Sequence, residues 1–204
     1  MKVLALDIST KTGWALLEGG PGLVPTLLDR GTLTLSRKVQ GYGGHPYPVS
    51  HLLATSDMAS DIAGLWVQHR PDTIVIEETN GSKNRYTQKI LEWIHFAVCF
   101  HWHRDSRHTP LHYINTSDWR KVVGAVLTKE DKKLNAKVRK LKKAGDKAGL
   151  KVLGVRGKVG KKHVAVRYVN QTFALNLKMK DNDQADAICL GTAYFLGVPR
   201  CDGT

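Results

Sequence analysis

Met1-Lys-Val-Leu-Ala-Leu-Asp7-Ile8, the first stretch of this 204-residue chain, is an apolar run with one carboxylate near its end. Four to eight apolar residues in a row read as a buried strand. An aspartate in that setting needs a compensating cation, because an unpaired buried charge is expensive. Ser9-Thr-Lys-Thr-Gly13 then supplies turn residues and Trp14-Ala-Leu-Leu17 a second apolar run, which predicts a tight hairpin. Asp7 alone reads equally as a strand-end turn cap. Its meaning depends on whether further acids join it.

Outward from this hairpin, Gly31-Thr-Leu-Thr-Leu-Ser36 alternates strictly and predicts a half-buried third strand in an antiparallel meander. Residues 36–48, rich in Gly and Pro and carrying Arg37, Lys38, Tyr42 and Tyr47, predict a loop. Met58, Ile62, Leu65 and Trp66 recur at helical spacing between His51 and His69, and Pro71 stops that helix. Asp72-Thr-Ile-Val-Ile-Glu77 is a second short buried strand ending in acid. A helix over Gln88–His103 carries apolar side chains on more than one side, including Trp93, Phe96 and Phe100, and is expected to be buried on both faces or to form a subunit interface. Leu111–Asn115 predicts another strand, and Thr116–Lys121 a short helix capped by Ser117. The expected architecture is a single α/β domain over residues 1–204, with a five-stranded mixed sheet, three strands antiparallel and then two parallel, flanked by helices.

Charge narrows the class of partner. The chain has 31 Lys and Arg against 18 Asp and Glu, an excess that favours a polyanion. Residues 129–162 hold 14 basic side chains and three acids, so most of the excess lies in one segment. Leu134, Val138, Leu141 and Ala148 form a thin apolar stripe there, which predicts a basic helical insertion at about 128–160, either a DNA contact or a solvated face. Cys99, Cys189 and Cys201 are odd in number and lack CxxC spacing, which supports neither a disulfide framework nor a zinc knuckle. Cys99, His101, His103 and His108 cluster along one stretch but match no common zinc spacing. No stretch has membrane-span length, and the N-terminus enters a strand at once, so a cytoplasmic protein is expected.

The last predicted helix opens Asp181-Asn-Asp183-Gln-Ala-Asp186-Ala. Asp183 and Asp186 are three apart and share a face. Acids at a helix N-terminus suit the macrodipole, which accounts for one of them and not for the whole set. Strand-end Asp7, strand-end Glu77 and this helical pair form a candidate site for two divalent, oxygen-loving ions such as Mg²⁺. Paired ions of that kind activate water for phosphodiester cleavage.

Strand-borne Asp, strand-borne Glu and a late Asp-x-x-Asp-Ala, in that order, resemble the RuvC family of Holliday-junction resolvases in the ribonuclease H-like superfamily. The resemblance covers most of the chain outside roughly 125–160 and includes Val122-Val-Gly124 and Lys161-Lys-His-Val-Ala-Val. It implies that Asp7, Glu77, Asp183 and Asp186 are catalytic and hold two Mg²⁺ ions per site, with Mn²⁺ able to substitute. It also implies cleavage of branched DNA, especially four-way junctions, to a 5′-phosphate and a 3′-hydroxyl. A homodimer is implied, packed through Trp93, Phe96 and Phe100, in a bacterium or in the host cytoplasm of a phage. Candidate DNA contacts are Lys11, Arg37, Lys38, Lys83, Arg85, Tyr86, Lys161 and Lys162. Two places differ from the family: Thr79-Asn80 stands where a junction-wedging aromatic is usual, and Ile-Ser-Thr-Lys replaces Pro-Gly in the first motif.

Other readings remain open. Within the same class, the substrate is a flap, fork or other branched DNA. In another class, Asp-Ile-Ser-Thr-Lys-Thr-Gly also resembles the phosphate loop of sugar kinases and actin-like ATPases, whose two lobes exceed 204 residues. A non-catalytic nucleic-acid-binding protein on the same fold would have no reason to retain four acids together.

Overall fold

A computed structural model of the chain describes residues 1–35, 38–78, 84–153 and 157–199, with the backbone of Cys201–Asp202. The opening run forms β1 (Lys2–Asp7), which pairs antiparallel with β2 (Lys11–Glu18), Asp7 standing opposite Gly13. The hairpin is tied by Thr12 Oγ1, which donates to the Ser9 carbonyl at 2.9 Å, and by Ser9 Oγ, which donates to the Lys11 carbonyl at 2.8 Å. β2 continues antiparallel into β3 (Thr26–Thr34), which starts earlier than the alternation at Gly31 predicts.

Two long helices and two short strands complete the first half. Helix α1 (Val49–His69) runs back to β4 (Thr73–Glu77), which pairs parallel with β1, and α2 (Arg85–Asp105) leads to β5 (Leu111–Ile114), parallel to β4. The five expected strands are present in the expected order and directions. A two-residue strand, β6 (Cys201–Asp202), adds antiparallel to β5, so the sheet order is β3-β2-β1-β4-β5-β6. That sixth strand is too short to carry a period.

Strand alternation divides the core. Val3, Ala5, Ala15, Leu17 and Val75 face one layer, built from α3 (Thr116–Val122), α6 (Lys161–Thr172) and α7 (Asn182–Phe195). Leu4, Leu6, Leu16, Ile74 and Ile76 face the other, built from α1 and α2. Helix α7 is buried on nearly all sides because it lies between the sheet and α6. Two glycines let it approach. A Cβ at Gly13 would stand 1.9 Å from the Asp183 carbonyl oxygen, and one at Gly191 would stand 2.4 Å from Leu17 Cδ1.

Some local expectations change. Asn115, not Ser117, caps α3, its Oδ1 accepting from the Ser117 backbone N–H at 2.9 Å, because the strand ends one residue earlier than predicted. Helix α2 buries Ile90, Ile94 and Val98 but leaves Phe96 and Phe100 exposed, 72% and 55%, so within the chain it is covered on one side only.

The basic segment forms two helices, α4 (Lys129–Lys143) and α5 (Lys147–Val152), which break at Gly145 with a φ of 69°. Ala148 is exposed and does not continue the apolar stripe. Helix α4 is docked, not loose. Asp131 takes two hydrogen bonds from Arg167 of α6 at 3.1 and 2.6 Å, and the Asn135 amide exchanges two with the Val159 backbone, both 2.8 Å. Arg167 and the Thr128 backbone hold the Asp131 carboxyl down at about 2. The outward face presents Lys129, Lys132, Lys133, Lys137, Arg139, Lys140, Lys142 and Lys143. Among the described residues no helix is long and apolar enough to cross a membrane.

Candidate active site

Asp7 and Glu77 end neighbouring parallel strands. Leu6 is level with Ile76, so the next residues meet side by side at a strand spacing of about 4.8 Å. Period-two alternation puts Asp7 on the face of Val3 and Ala5, and Glu77 on the face of Val75, which is the α7 side. The close approach at Gly13 sets the first turn of α7 against that edge, and Gln184 pins it by donating to Thr32 Oγ1 of β3 at 3.1 Å. Asp183 and Asp186, 7% and 4% exposed, are thereby brought to the strand ends.

Asp7 and Asp186 feel the neighbouring acids. Burial drives the Asp7 carboxyl well above its ordinary range, and the charges of Glu77, Asp186 and Asp183 push the same way, with Lys162 opposing. Burial likewise raises Asp186 to about 6; Arg120 holds it down and Glu77 pushes it up. The repulsion is partly offset by cations. Lys11 Nζ lies 3.0 Å from Asp183 Oδ2, Lys162 Nζ 3.3 Å from Asp183 Oδ1, and Arg120 Nη2 2.9 Å from Asp186 Oδ1. The lysine side chains are 43% and 56% exposed, Lys11 Nζ also donating to the Lys180 carbonyl at 2.7 Å; that of Arg120 is 8% exposed.

Helix α3 supplies partners that the residue pattern did not point to. Thr116 Oγ1 donates to Glu77 Oε1, and Trp119 Nε1 donates to Glu77 Oε2 at 3.1 Å. Arg120 stacks over the Trp119 ring at 4.1 Å and donates to the Lys161 carbonyl at 3.2 Å. A tryptophan and an arginine in the first turns after a strand that adjoins an acid-ended strand were the available signal. Glu78 faces away from this set, accepting from Asn115 Nδ2 at 2.8 Å.

Among the described residues no three His, Cys, Asp or Glu side chains are already arranged to hold an ion. The reason is visible: Glu77, Asp183 and Asp186 are each turned to a donor of the chain. The chemistry of the set nevertheless fits hard divalent ions. It is all carboxylate oxygen, among the described residues no cation pairs directly with Asp7, and two of its cations sit on long, partly exposed lysine side chains.

Of the other predicted contacts, Lys161 is exposed at the start of α6 beside Lys162. Lys38 is exposed in the loop before α1. Arg85 and Tyr86 open α2, on the opposite side of the sheet from the acids. Arg37 and Lys83 lie outside the described residues, as does the Thr79-Asn80 segment. Trp93 lies near-parallel to Tyr47 at 6.4 Å, while Phe96 and Phe100 line an apolar cleft with Leu52.

No family model matches the chain, and no curated protein does. Solved structures do. Thermus thermophilus RuvC in complex with Holliday junction substrate matches with a TM-score of 0.64 and 12% identity, over 98% of this chain and 100% of that one. Thermus thermophilus RuvC in a second structure gives a TM-score of 0.62 and 14% identity over the same shares. The yeast mitochondrial Holliday junction resolvase Ydc2 gives 0.53 and 12%, over 95% of this chain and 77% of that one. With its three antiparallel and two parallel strands in this order and helices on both faces, the chain has the ribonuclease H-like fold of RuvC along almost its whole length.

Proposed function

We propose that the protein is a Mg²⁺-dependent endonuclease that resolves four-way DNA junctions. The observation that carries this is the convergence of Asp7, Glu77, Asp183 and Asp186, which two central strands and one helix bring to the same end of the sheet. RuvC and Ydc2, which share the fold, are described as acting on or binding Holliday junctions.

Asp7, Glu77, Asp183 and Asp186 would hold two Mg²⁺ ions, or Mn²⁺ in their place, which would supply positive charge for phosphodiester hydrolysis and lower the pKa of water. The chain's own residues do the rest. Thr116 and Trp119 hold both oxygens of Glu77, and Arg120 holds one of Asp186, so these carboxylates keep their orientation as charge builds. Lys11 and Lys162 leave Asp183 for the phosphate on either side of the scissile bond. Water attacks phosphorus in line, the bond to O3′ breaks, and O3′ takes up a proton, leaving a 5′-phosphate and a 3′-hydroxyl.

The exposed lysines of α4 add to the positive charge of Lys161 and Lys162, α4 being anchored on the same helix α6. Arg167, to which α4 is anchored, lies about 8 Å along α6 from Lys162. Paired cuts need two sites, so the functional unit is a homodimer. The open cleft between α1 and α2, lined by Leu52, Trp93, Phe96 and Phe100, is the surface for it.

The test offers labelled four-way junction, flap, fork and linear duplex, each with Mg²⁺, to wild type and Asp7→Asn. Junction cleavage by wild type alone is expected. Equal cutting of linear duplex would refute junction selectivity, and preference for the flap or fork would move the assignment to those substrates.

A further inference from the structure

On the other face of the sheet, at the same end as the acids, an aromatic cleft of about 480 Å³ opens between the loop before α1 and the first turns of α2. Gln40, Tyr47, His51, Arg85, Tyr86 and Lys89 line it. Its place follows from topology: α1 leads into the start of β4 and α2 leaves β4's carboxyl end, so the start of α1 and the start of α2 meet beside the edge that carries Glu77.

The rings of the cleft are held from beneath. His51 is 4% exposed and forms its floor, its Nε2 paired with Tyr86 Oη at 2.8 Å and its Nδ1 with Ser50 Oγ at 3.1 Å. Both tyrosine rings stand edge-on to it, at 83° and 87°, and Tyr47 is also within 16° of parallel to Trp93. Yet Tyr47 and Tyr86 remain 52% and 53% exposed. The Lys89 ammonium lies 5.1 Å from the Tyr47 ring centre and 5.3 Å from that of Trp93, and it donates to Tyr47 Oη.

Half-exposed rings fixed from beneath, with cations at their edge, suit a flat π-system that carries negative charge. An unstacked nucleobase with its phosphate meets both requirements, because every base has a π-face and base-on-aromatic stacking tolerates any sequence.

We propose that this cleft binds an unstacked nucleobase of the DNA strand that crosses the sheet end, stacking it on Tyr47 and Tyr86 while Arg85 and Lys89 take the neighbouring phosphates. The proposal deepens the function given above and rests on DNA being the substrate.

Binding is measured in EDTA, so that cleavage does not intervene, with fluorescently labelled oligothymidylate, four-way junction and continuous duplex. Tyr47→Ala and Tyr86→Ala are expected to weaken oligothymidylate and junction binding about 5- to 150-fold, leaving the duplex within about twofold. Tyr47→Phe and Tyr86→Phe should retain most of the affinity. Equal losses on duplex and single strand, or no loss on any probe, would overturn the proposal.

A second measurement needs no variant: oligothymidylate carrying 5-iodouracil is photocrosslinked to wild type and the adducts are mapped. Adducts on Tyr47 or Tyr86 support the cleft; adducts confined to other surfaces sink it. Tyrosine-dependent binding without any Mg²⁺-dependent cleavage would sink the nuclease reading and leave the cleft standing. Junction cleavage without tyrosine dependence would do the reverse.

Discussion

Arg120→Ala should destabilise the metal-free protein by an amount that grows with pH. The guanidinium is 2.9 Å from Asp186, and both side chains are less than a tenth exposed. Removing one partner of such a pair typically costs about 3–5 kcal/mol, because the other charge is left buried and unpaired. Asp186 has an escape, which is to take a proton. Its carboxyl already sits at about 6 against an ordinary 3.8, and Arg120 is among the influences holding it down, so the substitution moves it higher.

The sign follows from proton binding. A carboxyl whose folded value exceeds its unfolded value binds more protons folded, so stability is greatest below about 4 and falls as pH rises through the folded value. In wild type this amounts to roughly 3 kcal/mol lost between about pH 4 and pH 6. In the variant the decline extends to higher pH. Urea unfolding in EDTA at pH 5 and pH 8 is the assay. The gap between wild type and variant is expected to be small at the lower pH and to widen by about 2–3 kcal/mol at the higher one. Saturating Mg²⁺ should narrow it. A gap that does not change with pH, or that stays below about 0.5 kcal/mol throughout, would refute the view that Arg120 is the fixed counter-charge of the acid cluster.

Gly13→Ala should push α7 off the strand ends, since the added methyl meets the Asp183 carbonyl at 1.9 Å. A loss of about 1–3 kcal/mol in unfolding free energy and weakened Mg²⁺ binding by calorimetry are expected, and unchanged Mg²⁺ affinity would count against this packing. Lys133→Gln, Lys137→Gln and Lys140→Gln on the outer face of α4 should each lower the slope of log affinity against log salt by up to about 0.9 for duplex arms. An unchanged slope in the triple variant would make that face merely solvated. Phe96→Glu should convert a dimer to monomers in sedimentation and remove paired cutting; a monomeric wild type would dispose of the cleft between α1 and α2 as a subunit interface. Lys162→Ala should raise the Asp7 carboxyl further, because the Lys162 charge lowers it, moving the acid limb of the pH–rate profile upward.

Much of this molecule is legible from residue order. The runs Lys2–Asp7 and Thr73–Glu77 are apolar, short and acid-ended, and period-two alternation alone decides that both acids share a face once the strands are neighbours. The i,i+3 spacing of Asp183 and Asp186 does the same on one helix. These are local rules, satisfied by backbone geometry wherever the segment ends up, so they can be read before any contact is known.

What could not be read depends on partners distant in the chain. Trp119 and Arg120 look like ordinary members of a short helix until α3 is laid beside β4 and α7, where they become ligands of Glu77 and Asp186. The basic helix has one charge pattern whether free or docked; Arg167 and Val159 decide that it is docked. The apolar second side of α2 predicts a cover, but only the packed chain leaves Phe96 and Phe100 open and draws Trp93 against Tyr47. Periodicity reports which side of an element avoids water, and only the assembled layers determine which groups are left to meet there.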